Sequence, residues 1–421
     1  MLVAQIVMGI TLLLMISGRT PLYLTAIVGS FITAMIAGFP MTGGEGPSVT
    51  SLINGGLNPV IADMAGVLMF IGVMERVGFL DVIIRNIIKV GRRLGGGAGV
   101  ATAGGIAAGF IGMLTGFTQP AITAVLTGAA SSKLGVNPSK SAGVHAHAGH
   151  LGNFGGFTHP TQVAVVAITG IGFGMINVYG VLISLAIFAF SFMRLRKETA
   201  KNGPMTDEEV NAIAKEFESS EHNYAFWKTM MPFLVLMVGF VLGYPIFVVG
   251  VLSSIVTMVL SATCFSKAEQ FMLNGVGRIA TPLVATIGFL FMSSVINNIG
   301  MADSIANLFR PMLTVAPLQS MLIVAGIASF ITQSNGASAA ISIPFLQAVM
   351  TAVPEASPLG LAVMAAGGGA VMQYYLTGGP VAALATVIPV IKGSELKEAN
   401  LFQRPAMLFG MVLLLAVSFF F

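Results

Sequence analysis

The sequence predicts an all-α polytopic membrane protein made of two halves of inverted topology. Three observations carry this. Only 9% of the 421 residues are charged and 55% are hydrophobic, against roughly 25% charged in a soluble domain. Apolar runs recur along the chain, and about 20 such residues cross the hydrocarbon core as a helix. The order of continuous and interrupted apolar segments in residues 1–196 is repeated in 229–421. The charge deficit argues against a soluble enzyme with a large core. The single Cys264 allows no internal disulfide.

In order, residues 1–196 form the first repeat: scaffold spans within 1–75, an amphipathic arm at 79–94, a re-entrant hairpin at 98–132, a broken helix at 139–175 and a last span at 178–195. The N-terminal apolar run has no basic leader before it, so it is expected to be the first span, 2–17, rather than a cleavable signal. Spans 21–38 and 57–75 follow. Residues 197–228 read as a cytoplasmic linker, where Thr206 and Glu209 form a capping-box pattern. The second repeat, 229–421, has scaffold spans at 229–243, 245–263 and 280–298, and an arm at 302–313. Its hairpin is 316–353, its broken helix 357–391 and its last span 405–421. Hairpins and broken helices are inferred because Gly, Pro, Asn and Thr interrupt these stretches, and unwound backbone survives at membrane depth only under protein or water.

With this topology every basic residue except Arg310 falls on one side, with Glu45, Asp303 and Glu355 opposite. The positive-inside rule names that side cytoplasmic and puts both termini outside, in a bacterial inner membrane. Reading either hairpin as a plain span would scramble the segregation.

Inverted repeats whose broken helices meet near the midplane are secondary-transporter architecture. The four breaks therefore define the candidate site. They offer Thr115, Thr118 and Gln119, then Asn153, Thr158 and His159, then Thr332, Gln333, Ser334 and Asn335, and finally Gln373, Thr377, Gly378 and Gly379. None of these segments carries an acid, Lys or Arg at its break. Half-helix N-termini after Pro120, Pro160, Asn335 and Pro380 can still hold an anion through free N–H groups and the helix dipole, while opposing carbonyls suit Na⁺. A small carboxylate is the expected substrate, with H⁺ or Na⁺ as coupling ion and no other cofactor. The partners expected are that anion and the lipid bilayer, without nucleic acid.

The stretch HAHAGHLGNFGGFTHP (145–160) holds four of the five histidines. His159 precedes Pro160 at a break, where it can donate to a carboxylate or carry the coupled proton. Asn335 is the second candidate for coupling. Asp63 is the only carboxylate well inside a span, and an ionisable group there is a functional candidate. It supports an alternative, a cation/proton antiporter. His147 and His150, three apart on one helical face, support another, an intramembrane metalloenzyme. Zinc wants convergent ligands, usually including Cys or carboxylate, and neither lies in 96–195. No metal site is therefore expected. His145 reads equally as a packing residue bonded to nearby carbonyls.

The order of elements, the tip SNGAS (334–338) and the break THPT (158–161) resemble the ion-transporter superfamily. GFTQPAITAVLTGAASSKLGVNPSKSAGVHA (116–146) is similar in pattern to the gluconate permease and lactate permease branches. SNGAS also resembles the Ser-Asn-Thr motif of the divalent anion/sodium symporters, with Gly336 in place of threonine; TGFTQP (115–120) lacks that motif. The resemblance implies a homodimeric, elevator-type transporter rather than an enzyme. In it the first three spans of each half form the scaffold and the hairpins and broken helices move.

Overall fold

A computed structural model describes residues 1–17, 20, 22–43, 46–56, 59–115, 120–199, 224–242, 244–277, 280–332, 335–373, 384 and 387–421. Among these, the regular elements are helices. The N-terminal half contains α1 (Leu2–Ser17), α2 (Leu22–Ile36), α3 (Val49–Gly56), α4 (Pro59–Arg76), α5 (Phe79–Thr115), α6 (Pro120–Lys133), α7 (Pro138–Ala146), α8 (Ala148–Gly155), α9 (Pro160–Thr169) and α10 (Met175–Thr199). The C-terminal half contains α11 (Phe226–Val241), α12 (Ile246–Leu260), α13 (Ala268–Gly277), α14 (Ala280–Asn298), α15 (Met301–Val315), α16 (Pro317–Thr332), α17 (Asn335–Ala352), α18 (Pro358–Met372) and α19 (Leu396–Val417).

α5 bends where three consecutive glycines weaken it. Gly95 and Gly96 leave helical geometry, and Gly96 adopts φ 54°, which L side chains rarely tolerate. Residues 79–94 then run back over 97–115 so closely that a Cβ on Gly99 would sit 1.8 Å from the Gly91 carbonyl oxygen. The corresponding junction in the other half lies between α15 and α16, which meet at 120° about Ala316. In both places an amphipathic segment turns sharply into an apolar helix.

Packing sorts the helices into two groups. α4 packs on α12 and α13, while α14 packs on α2 and α3. Glycines allow the first of these: a Cβ on Gly66 would meet the Phe247 backbone at 2.4 Å, and one on Gly275 the Leu68 carbonyl at 2.1 Å. Small residues at helix contacts do this work in membranes, where burying apolar surface drives no association. The second group joins α5–α8 with α10, α19 and α16–α18. There α5 packs on α6 and α8, as α16 packs on α17 and α18.

Apolar side chains of the outer spans face outward: Leu13, Leu24, Leu182, Leu234, Val259 and Val412 are exposed. The polar residues of α7–α9 are mostly buried instead. An apolar exterior of this extent, with polar side chains turned inward, is a membrane protein's surface.

Three features depart from the expected elements. α3 and α13 are short helices ahead of the third spans. α3 is started by Ser48 and Ser51, whose hydroxyls and N–H groups bond reciprocally at 2.8 and 3.2 Å. The helix at 138–155 is interrupted at His147, which caps α7 and starts α8. Finally, α19 begins at Leu396 and runs through Pro405, where the sequence placed its start.

Side-chain bonds tie distant loops together. At one end Lys140 Nζ reaches Glu198 Oε2 at 2.6 Å, Asn137 Nδ2 donates to Glu398 Oε1, and the Ser139 hydroxyl accepts from the Glu395 N–H. Arg194 donates to the Phe402 carbonyl and lies over its ring. Elsewhere Gln5 bonds to Ile299 and Ser304, and Gln319 to Ser418.

Candidate functional site

The break between α8 and α9 is held open by two amides. Asn177, on α10, donates through Nδ2 to the Gly155 and Gly156 carbonyls at 3.1 and 2.7 Å, and accepts the Gly174 N–H. Gln162 donates to the Phe154 carbonyl at 3.1 Å. Four residues with no helical partner thus acquire acceptors and donors, as buried backbone must. The Phe157 N–H donates to Met113 at 3.1 Å, which attaches the break to the end of the first hairpin helix.

His159 then takes an extended conformation (φ −70°, ψ 127°) and caps α9 without a side-chain bond to it. Its ring is turned to the start of α17, where Asn335 Nδ2 lies 3.5 Å from His159 Nδ1. That pairing has Nδ1 accept from the amide, which leaves the ring proton on Nε2. The Asn335 carbonyl accepts the Ser338 hydroxyl at 2.9 Å and the Thr161 hydroxyl at 3.4 Å. Its N–H donates to Gln373 Oε1 at 3.2 Å. The Asn335 N–H is therefore already engaged.

α18 reaches the site through AAGGGAV (365–371). Its three glycines serve three neighbours: a Cβ on Gly367 would meet Leu414 at 2.7 Å, on Gly368 the Leu322 carbonyl at 2.9 Å, and on Gly369 the Asn335 Oδ1 at 3.1 Å. The Ser329 hydroxyl locks the same segment by donating to the Gly369 carbonyl at 2.6 Å.

At this break Thr158 Oγ1, Gln162 Oε1 and Asn335 Oδ1 are buried without a partner among the described residues. Such atoms cost about 1–3 kcal/mol each when left unsatisfied. α9 adds the N–H groups of Thr161 and Gln162, which have no acceptor within their own helix.

Of the residues expected from sequence, the structure brings together Thr158, His159, Asn335 and Gln373. Thr332 ends α16 next to them, and Asn153 is buried on α8. Thr115 closes α5, but its side chain lies outside the described residues, as does that of Asp63 in α4. Thr118, Gln119, Gln333, Ser334, Thr377, Gly378 and Gly379 also lie outside them. Thr161, Asn177, Gln162 and Ser329 were not expected; only the position of Thr161, just after Pro160, signalled a helix N-terminus.

The other histidines sit elsewhere in the bundle. His145 is fixed by the Ser141 carbonyl at 2.8 Å and the Thr127 hydroxyl at 2.6 Å. His147 Nε2 pairs with the Ser191 hydroxyl at 2.7 Å, and its ring lies 5.1 Å from that of His150. No third His, Cys, Asp or Glu gathers with them among the described residues.

Fold and surface together define a polytopic all-α membrane protein. Two solved structures share that fold across most of both chains. The YdaH transporter of Alcanivorax borkumensis matches with a TM-score of 0.58 and 14% identity, over 88% of this chain and 86% of that one. MtrF of Neisseria gonorrhoeae, described with a class of antimetabolite efflux pumps, matches with a TM-score of 0.62 and 15% identity, over 95% of each. No protein-family model and no curated protein matches. Neither structure is a gluconate permease, lactate permease or divalent anion/sodium symporter by its description, so the family expectation reduces to a transporter fold.

Proposed function

We propose that this protein is a secondary active transporter of a small organic anion, coupled to H⁺ or Na⁺, and works as a homodimeric elevator in a bacterial inner membrane. The observation that carries the reading is the meeting of His159 with Asn335 beside three buried oxygens without a partner among the described residues, at the start of α9 and of α17. Donors at the site are neutral: the His159 Nε2–H, the α9 N–H groups and the Thr158 hydroxyl, which rotates to donate. A carboxylate accepts from all of them without needing a cation, as anions do at helix N-termini. The free oxygens of Thr158 and Asn335 suit a coupling Na⁺, and His159 a proton.

The matched contacts of the two halves support the inverted repeat. The ties among 137–140, 194–198 and 395–402 support placing those loops on one side, the cytoplasmic one. The substrate class lies among hydroxy-monocarboxylates and C4-dicarboxylates. The test is uptake into proteoliposomes of labelled lactate, gluconate and C4-dicarboxylates, under an imposed pH gradient or an imposed Na⁺ gradient. Accumulation of one acid under one gradient is expected. No accumulation of any, with a pH gradient that collapses when Na⁺ is added, would replace this reading with antiport through Asp63.

A further inference from the structure

Away from the site, a cavity of about 450 Å³ opens between the arm 79–94, the following segment of α5, and α10. Its walls include Val90, Leu94, Ile106, Leu185, Phe192 and Phe226, and are almost wholly apolar. Val90 and Leu94 are 53% and 69% exposed, so the groove is open along the arm. The arm places Asn86, Val90 and Leu94 on one stripe, and Arg85, Lys89 and Arg93 on the adjoining one, because positions one apart are rotated by about 100° on a helix. None of these three cations has an ion pair among the described residues. The arm's one acid, Asp81, lies a turn before them.

Trp227, the chain's only tryptophan, follows the groove residue Phe226 and is 60% exposed, with Lys228 over its ring at 5.9 Å. Tryptophan and lysine so paired mark the depth of lipid headgroups. We infer that this groove is a binding site for an anionic phospholipid, with one acyl chain between the arm and α10 and the phosphate on Lys89 and Arg93. The occupant must be apolar along the groove and anionic at its mouth, and must stand at interfacial depth. A membrane phospholipid meets all three conditions, and polybasic segments attract anionic lipids by about 1 kcal/mol per Lys or Arg, roughly fivefold. The arm joins the outer helices to the first hairpin, so the lipid would sit where these two parts meet.

The test uses Trp227 as reporter. The full-length protein is reconstituted in phosphatidylcholine bilayers containing small fractions of brominated phosphatidylglycerol or brominated phosphatidylcholine, and Trp227 quenching is measured. Phosphatidylglycerol is expected to quench more strongly and to saturate at a low mole fraction. The paired substitution Lys89→Gln with Arg93→Gln, both on an exposed surface, should lower the preference about fivefold for each cation removed. Ala189→Phe, which fills the groove wall from an exposed position, should abolish saturation while leaving the charges in place. Equal quenching by the two lipids would overturn the proposal. So would a preference that survives Ala189→Phe, since that is attraction of lipid to a charged surface without a site.

Discussion

Asn335 Nδ2 stands 3.5 Å from His159 Nδ1, although 176 residues separate the two in sequence. The contact joins the break of one discontinuous helix to the tip of a hairpin from the other half. It orients the imidazole by occupying one nitrogen, which leaves the ring proton on the other.

His159→Ala should remove a donor to a charged ligand, costing about 2 kcal/mol, or roughly thirtyfold in affinity. His159→Gln, which can keep a donor at similar reach, should retain more uptake than alanine. Initial uptake rates against substrate concentration in proteoliposomes check both.

Asn335→Asp should abolish anion uptake, because it places a carboxylate beside the carboxylate it should bind. Like charges across a site cost several kcal/mol. The same uptake assay decides, and an increase in uptake would point to a cationic substrate.

Gly368→Ala and Gly369→Ala should part company. A methyl at 368 strikes the fixed Leu322 carbonyl at 2.9 Å, and one at 369 strikes the Asn335 amide at 3.1 Å. The first should lower the thermal midpoint, since overpacking costs about 1–3 kcal/mol. The second should raise KM with little change in midpoint, because a side-chain amide can shift where a carbonyl cannot.

Thr127→Val keeps the shape of the side chain but leaves His145 Nε2 without its 2.6 Å partner. A loss of about 1–3 kcal/mol in stability is expected, without a change of substrate preference. Lys140→Met is the contrasting case. Its ion pair with Glu198 is partly exposed, at 27% and 41% of the two side chains, so less than about 1 kcal/mol should be lost. Thermal unfolding in detergent measures both.

Breaks were legible in the sequence because their cause is local. GGG at 95–97 falls where α5 bends and Pro160 where α9 starts, whereas GGG at 367–369 lies inside α18. The apolar run gave a last span of 405–421; α19 starts earlier, at Leu396, and runs through Pro405, with the polar Asn400 and Gln403 buried. The interruption at His147 has no glycine or proline to announce it. The pairings of Asn177 with Gly155 and Gly156, and of Thr161 with Asn335, depend on which segments meet. A residue type reveals that it needs a partner, but only the assembled bundle reveals which one it finds.

The crossed packing of the outer helices bears on how the chain is made. α4 rests on α12 and α13, and α14 on α2 and α3, so each half lends its third long helix to the other. As synthesis proceeds, α4 emerges with its glycine-lined face uncovered and stays so until the ribosome has passed residue 277. Insertion and assembly are therefore separate events for this protein, and the interval between them is the time taken to translate the intervening chain. Two fragments divided within residues 200–223 and produced together should find each other in the membrane, whereas either fragment produced alone would keep an unfinished face and be open to degradation.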